Sequence, residues 1–477
     1  MNSRSDTRAA LRALALLLPA ALIAGPAGAA DRSWFGGNGN WADAANWSPA
    51  GVPGSTDKAT LGTGSATLSA SASVGSLFND ATINVLSGTL LPTGGTSTGL
   101  FNLSAGAVLE FRNGSSVLDQ ITTTGAGTLQ VSTDNVGADA LVTINGGTLG
   151  ARLLFSGSTI NGSDHSFQAA STWTGGTFSG AARTSFLGDL SISGPATKVM
   201  VGGRIVDLHG TTTWSGNTAN NNNAIRFWNG ATLNNLGTFN DANAFDSFVE
   251  HNVGGPHTFS NQGTYNKLQD TITTFDLGVT LANTGTVNVE AGRLQVMSGM
   301  TNEGTVRVAT GAVFHGNAAA FANAGVFTGG GTVSTHANGD VVNRGLIRPG
   351  DGVGTLRIDG DLTQQAAGVL EIELASLASF DQLAVSDDVT LSGTLRLVNA
   401  GYQPVIGDSF IVLTFDQRLG DSSFAALETK GYGADVMFRA IYNPHDVTVV
   451  VTSVPEPSGW ALLLTGGLGL AAMRRRA

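Results

Sequence analysis

Apolar and polar residues alternate along most of this chain in short runs, such as Thr82 to Leu91 (TINVLSGTLL) and Ala140 to Phe155 (ALVTINGGTLGARLLF), broken by glycine or asparagine. Period-two alternation marks strands with one buried face. Between Leu233 and Ile347 the runs fall into a phrase, apolar-x-Asn-x-Gly-x-apolar. Its asparagines are Asn235, Asn261, Asn283, Asn302, Asn323 and Asn343, each followed two residues later by Gly237, Gly263, Gly285, Gly304, Gly325 or Gly345. Before them stand Leu233, Phe259, Leu281, Met300, Phe321 and Val341, and after them Phe239, Tyr265, Val287, Val306, Phe327 and Ile347. A repeat near 20 residues, too short for paired helices, predicts a solenoid whose coils bury one another's apolar faces. Asparagine and glycine tolerate left-handed backbone angles, so N-x-G is expected to mark a corner. Stacked coils would also set the asparagines above one another, where their amides can form a ladder; exposed turns with no such stack are the alternative.

From residue 67 the grammar is looser. Gly-Thr-Leu or a near match recurs at Gly88-Thr89-Leu90, Gly127-Thr128-Leu129, Gly147-Thr148-Leu149 and Gly176-Thr177-Phe178, and Asn220 to Asn223 suggest a loop thrown out from a coil. Crossovers between parallel strands are overwhelmingly right-handed. The expected fold is therefore all-β, a right-handed parallel β-helix over 67–348, very roughly 70 to 90 Å long at ~4.8 Å per coil. Repeat arrays need atypical ends. Residues 31–66 hold Trp34, Trp41 and Trp47 among glycine, asparagine and proline, which suits an N-terminal cap more than an aromatic platform for sugar rings. Residues 349–452 carry longer strands and are expected to close the last coil as a C-terminal β capping region.

The two termini add an address. Residues 1–30 open with Arg4, Arg8 and Arg12, continue with the apolar LALLLPAALIAG, and end on small residues at Ala27-Gly28-Ala29 or Gly28-Ala29-Ala30, as a cleaved secretory leader does. Residues 453–477 contain Val454-Pro455-Glu456-Pro457, an apolar stretch from Gly459 to Met473 expected to form a short hydrophobic helix, and then Arg474, Arg475 and Arg476. Prolines keep the first part extended, and the arginines would stay cytoplasmic by the positive-inside rule. In all three parts this tail resembles the PEP-CTERM sorting signal of Gram-negative bacteria. The resemblance implies recognition and removal by an exosortase-type membrane protease after transient membrane contact. It also implies delivery to the cell surface or extracellular matrix, often beside exopolysaccharide. The opening from Trp34 to Trp41 (WFGGNGNW) and the stretch from Pro349 to about Phe415 resemble exported bacterial β-solenoid surface proteins, including autotransporter-like passengers. No run after the solenoid reads as a membrane barrel.

Composition narrows the chemistry. Glycine is 66 of 477 residues while 42% of the chain stays apolar, which suits many strands and tight turns. No cysteine is present, so disulfides and thiolate metal sites are excluded. Removing the leader (net +2) and the three terminal arginines takes the formal charge from −11 to −16, with lysines only at Lys58, Lys198, Lys267 and Lys430. Such a body is a poor partner for nucleic acid.

A β-helix polysaccharide lyase or hydrolase is the alternative to a structural role, and it needs clustered carboxylates with a base beside them. The best acidic pairs, Asp359 with Asp361 and Asp387 with Asp388, sit at turn-like positions. His165, His209, His251, His257, His315, His336 and His445 show no metal-binding spacing. His251 and His257 flank a Gly-Gly-Pro loop, where solvated side chains are expected. Calcium at Asp351, Asp359 or Asp361 has no nonapeptide array or EF-hand loop behind it. No cofactor motif stands out. The expectation is a non-enzymatic surface or matrix protein, with exopolysaccharide as a possible ligand.

Overall fold

The computed structural model describes residues 28–134, 139–216, 224–317, 320–335 and 339–454. A four-residue strand with two inward apolar side chains buries them only when other strands close round it. This chain closes each coil on itself. Val279–Asn283 lies on one face, Thr286–Val289 on the next and Arg293–Val296 on the third, after which Met300–Asn302 returns above the starting strand. Coils stack in parallel and in register, with Asn283 paired to Asn302, Val287 to Val306 and Leu294 to Phe314. The result is an all-β parallel solenoid of about 15 turns. At ~4.8 Å per coil its body is roughly 70 Å long.

Inward residues of each coil, such as Leu281, Val287, Val289, Leu294 and Val296, are fully buried and form one continuous core with the coils above and below. Each such side chain contributes about 1.5 to 3 kcal/mol over its exposed state. Two long strands, Arg152–Asn161 and Ser171–Ser179, run across two faces without a break. Their first halves pair on one face and their second halves on the next.

Both ends are closed. Trp34, Trp41 and Trp47 are buried and meet edge to face, with centroids 5.1 Å apart for Trp34 and Trp47 and 4.8 Å for Trp41 and Trp47. Rings held in this way cover the first coil and leave no face free for a sugar. At the other end the parallel coils continue past Pro349 as far as Ala426–Lys430, which pairs in parallel with Thr394–Asn399. Closure falls to the last hairpin alone. Met437–Tyr442 pairs antiparallel with Asp446–Ser453, which lies antiparallel on Ser409–Thr414. The expected capping region thus begins as further coils, because its strands keep the inward alternation that lets the next coil stack.

Candidate functional site

The six asparagines of the repeated phrase stand at strand ends on a single face, and all are buried. Each side-chain N–H donates to the carboxamide oxygen one coil on. The distances are 2.7 Å from Asn235 to Asn261, 2.7 Å to Asn283, 2.8 Å to Asn302, 2.7 Å to Asn323 and 2.8 Å to Asn343. Asn343 passes the chain to Gln364 at 2.9 Å. The ladder has two unmet ends, Asn235 Oδ1 and Gln364 Nε2. Below it the same inward column is apolar: Leu149, Phe167, Phe186 and Leu208.

The expected reason for N-x-G is overturned. None of these asparagines or glycines has a positive φ. Asparagine is there to point inward, and in all but Asn343 its backbone carbonyl accepts two N–H groups from the coil above; Asn283 O, for example, receives Glu303 N at 2.8 Å and Gly304 N at 3.1 Å. Glycine is there because corners touch. A Cβ on Gly304 would lie 2.0 Å from Gly285 O, and one on Gly263 would lie 1.9 Å from Gly237 O. Gly304→Ala is expected to cost roughly 3 kcal/mol through overpacking against backbone that cannot step aside, read as a lower urea midpoint at unchanged slope.

Part of the charge on the outer surface is paired. Arg307 bridges two carboxylates, donating to Glu290 at 2.8 and 2.9 Å and to Asp351 at 2.8 Å. Its pKa is raised, first by the Asp351 contact and then, against the opposing effect of burial, by Glu290. Asp351 also lines a cleft of about 540 Å³ with Thr310, Gly331, Thr332 and the exposed Arg357. A second cleft of about 500 Å³ shares Thr332 and Arg357 with it. Two carboxylates and a base therefore come within hydrogen-bond reach, but one guanidinium occupies both. Hydroxyls, backbone edges and one arginine suit hydrogen bonding to a polyhydroxylated ligand.

Of the acidic pairs singled out from sequence, Asp387 and Asp388 lie between two strands, whereas Asp359 ends one strand and Asp361 begins the next, so the turn expected there is Gly360 alone. Asp361 Oδ1 accepts Asp388 N at 2.9 Å, Asp388 O accepts Leu362 N at 2.9 Å, and Asp387 O accepts Asp416 N at 2.9 Å. Among the described residues no three His, Asp or Glu side chains form a metal-holding group.

Sequence reasoning missed the buried ionisable groups. Arg204 is fully buried, and among the described residues no carboxylate is in hydrogen-bond contact with it. It donates to Thr184 Oγ1 at 2.5 Å, to the carbonyls of Gly162 and Ser179, and to the His165 ring at 3.2 Å. His165 Nδ1 meets Ser163 O at 2.9 Å, which assigns its proton there and leaves Nε2 to accept. Burial, and then the Arg204 charge, push the His165 pKa down to about 4.

Asp241 is fully buried and accepts from Tyr265 at 2.9 Å, Thr273 at 2.5 Å and Asn243 at 2.7 Å. Lys267 is buried beside it and donates to Gln269 O at 2.5 Å and Thr271 Oγ1 at 2.9 Å. Asp381, held by the N–H groups of Gly354 and Glu373 at 2.8 Å each, has its pKa pushed up to about 7 by burial.

His257 corrects another expectation. It is fully buried, its ring centroid 5.1 Å from that of half-buried His251, and neither of its nitrogens has a hydrogen-bond partner among the described residues. Burial and the neighbouring His251 lower its pKa; the Gly254 and Val253 carbonyls oppose this without reaching bonding geometry. A signal was present in each case: His257 shares its parity with Phe259, and His165 with Phe167, so alternation turns both rings inward.

Val454 packs on the core as the last described residue. Pro455, Glu456, Pro457, the apolar stretch with its expected helix, Arg474, Arg475 and Arg476 lie outside the described residues, as do most of the leader, Asn220 to Asn223 and His336. No protein-family model matches the chain, and no curated protein matches it either.

Proposed function

We propose that this protein is an exported structural component of the cell surface or extracellular matrix, sorted through its C-terminal tail. The observation that carries the reading is the pairing of a long solenoid with a leader at one end and a Pro-Glu-Pro, apolar, triple-arginine tail at the other. A stack of about 15 coils with in-register backbone pairing resists unfolding from its middle and spaces its ends far apart, which serves reach and scaffolding. An exosortase-type protease is the partner this reading requires, with transient membrane contact through residues 459–473. Exopolysaccharide is the ligand class that fits the hydroxyl-lined clefts beside Asp351 and Arg357. The reading is non-catalytic, and it is supported by the pairing of Arg307 with Asp351, the carboxylate that lines the first cleft.

The test is deletion of Val454 to Ala477 in a Gram-negative host that has the sorting protease. The full chain is expected to lose its tail and reach the surface fraction, while the deleted form stays in the periplasm or medium. Identical location and identical mature length for both would refute the proposal.

A further inference from the structure

Ala30 is where the chain becomes tied to the solenoid. Gly28 and Ala29 are exposed, and a Cβ on Gly28 would meet nothing within 4 Å. Ala30 donates its N–H to Asp57 Oδ1 at 2.8 Å and accepts Lys58 N at 3.0 Å through its carbonyl. From Asp31 onward the chain is a strand in register with Lys58, Ala59 and Thr60.

The receiving carboxylate is built in. Asp57 is 8% exposed, and its second oxygen accepts Gly54 N at 2.9 Å and Arg32 Nε at 3.2 Å. Arg32 is held in turn by the carbonyls of Pro49 and Ala50 at 3.1 and 3.2 Å. The Gly54 N–H, followed by the Ala30 N–H, keeps Asp57 below the ordinary carboxylate range.

The geometry points to the Ala29–Ala30 bond as the one cut when the leader is removed, with Asp57 as the receptor for the new α-ammonium group of Ala30. This rests on the export reading and chooses between the two cleavage positions that the sequence leaves open. In the cut, water supplies the oxygen that makes Ala29 a carboxylate, and the Ala30 nitrogen leaves as an amine and takes up a proton. An ammonium in place of the amide N–H puts a positive charge on the donor, so that the hydrogen bond to the Asp57 carboxylate becomes an ion pair as well. A cut one residue later would remove Ala30 altogether, so that Asp57 Oδ1 loses its donor and Lys58 N its acceptor.

Sequencing the first residues of the exported protein, made from the full chain in a Gram-negative host, tests this directly. Ala30 is the expected first residue. A start at Asp31 overturns the inference and leaves export standing, whereas a start at Met1 overturns export as well. A second measurement uses an amine-acylating reagent across pH on the mature protein, with a free peptide of residues 30–36 as reference. Asp57 should raise the α-amine above its usual value of about 7.7 to 8.0, slowing labelling at pH 7 about tenfold relative to the peptide. Asp57→Asn should restore the peptide's rate. Peptide-like labelling of the wild type would overturn the inference.

Discussion

Asn302→Asp is expected to remove about 4 kcal/mol of stability near neutral pH, among the largest effects open to a single change that leaves side-chain volume intact. Asn302 is 1% exposed, accepts from Asn283 at 2.8 Å and donates to Asn323 at 2.7 Å. A carboxylate keeps the first bond, loses the second and sets a buried negative oxygen against Asn323 Oδ1. Lowering the pH should narrow the deficit, because a protonated carboxyl can donate again. Asn302→Ala should cost less, roughly 2 to 3 kcal/mol, since it leaves orphaned groups and a cavity but buries no charge. Asn235→Leu, at the end whose oxygen is already unmet and whose neighbour below is Leu208, should cost only about 1 kcal/mol. Urea unfolding of the three variants checks the order; equal losses would mean that the amides act independently.

Acid should weaken the wild type relative to His165→Gln by about 3 kcal/mol between pH 6.5 and pH 4. The unfolded histidine takes up its proton near 6.5 and the folded one only near 4, because the ring is buried against Arg204. In that window the unfolded chain binds more protons, so stability falls as the pH falls. Glutamine can still accept from Arg204 and Thr184 and does not titrate. The comparison has to be a difference between the two proteins, because Asp381 acts with the opposite sign. Its folded pKa of about 7 lies above the ordinary 3.8, so its contribution is present at low pH and lost as the pH rises through 7. Subtracting the two urea-derived stability curves cancels Asp381 and leaves the histidine. A flat difference would show that the ring is not held neutral.

Architecture was legible because alternation and the N-x-G phrase are both local signals that stacking repeats in register. What the phrase does was only half legible. Asparagine and glycine at a corner suggest left-handed backbone, yet the residue two before each asparagine is apolar and inward, and period two turns the asparagine inward as well. Weighing parity above turn propensity decides for the ladder over the exposed turns, and turns His257 inward with it. The looser grammar before Asn235 also has a physical cause: there the column carries Leu149, Phe167, Phe186 and Leu208, whose side chains need no fixed partner atom, so their spacing is free to vary. Arg204, Lys198 and Lys267 were not legible. A buried cation satisfied by carbonyls and hydroxyls depends on where strand ends expose oxygen to the interior, and no short motif encodes that.

The amide ladder has one deficient group at each terminus however many rungs lie between. Duplicating a coil between Asn235 and Asn343 inserts a rung that is satisfied on both sides, so lengthening the rod there adds no further penalty of this kind. Duplication below Leu208 gains no such rung, and each added coil must instead find its own apolar fit. Whole-coil gains and losses between Asn235 and Asn343 therefore change the span of this protein while leaving the ladder's two terminal deficits as they are.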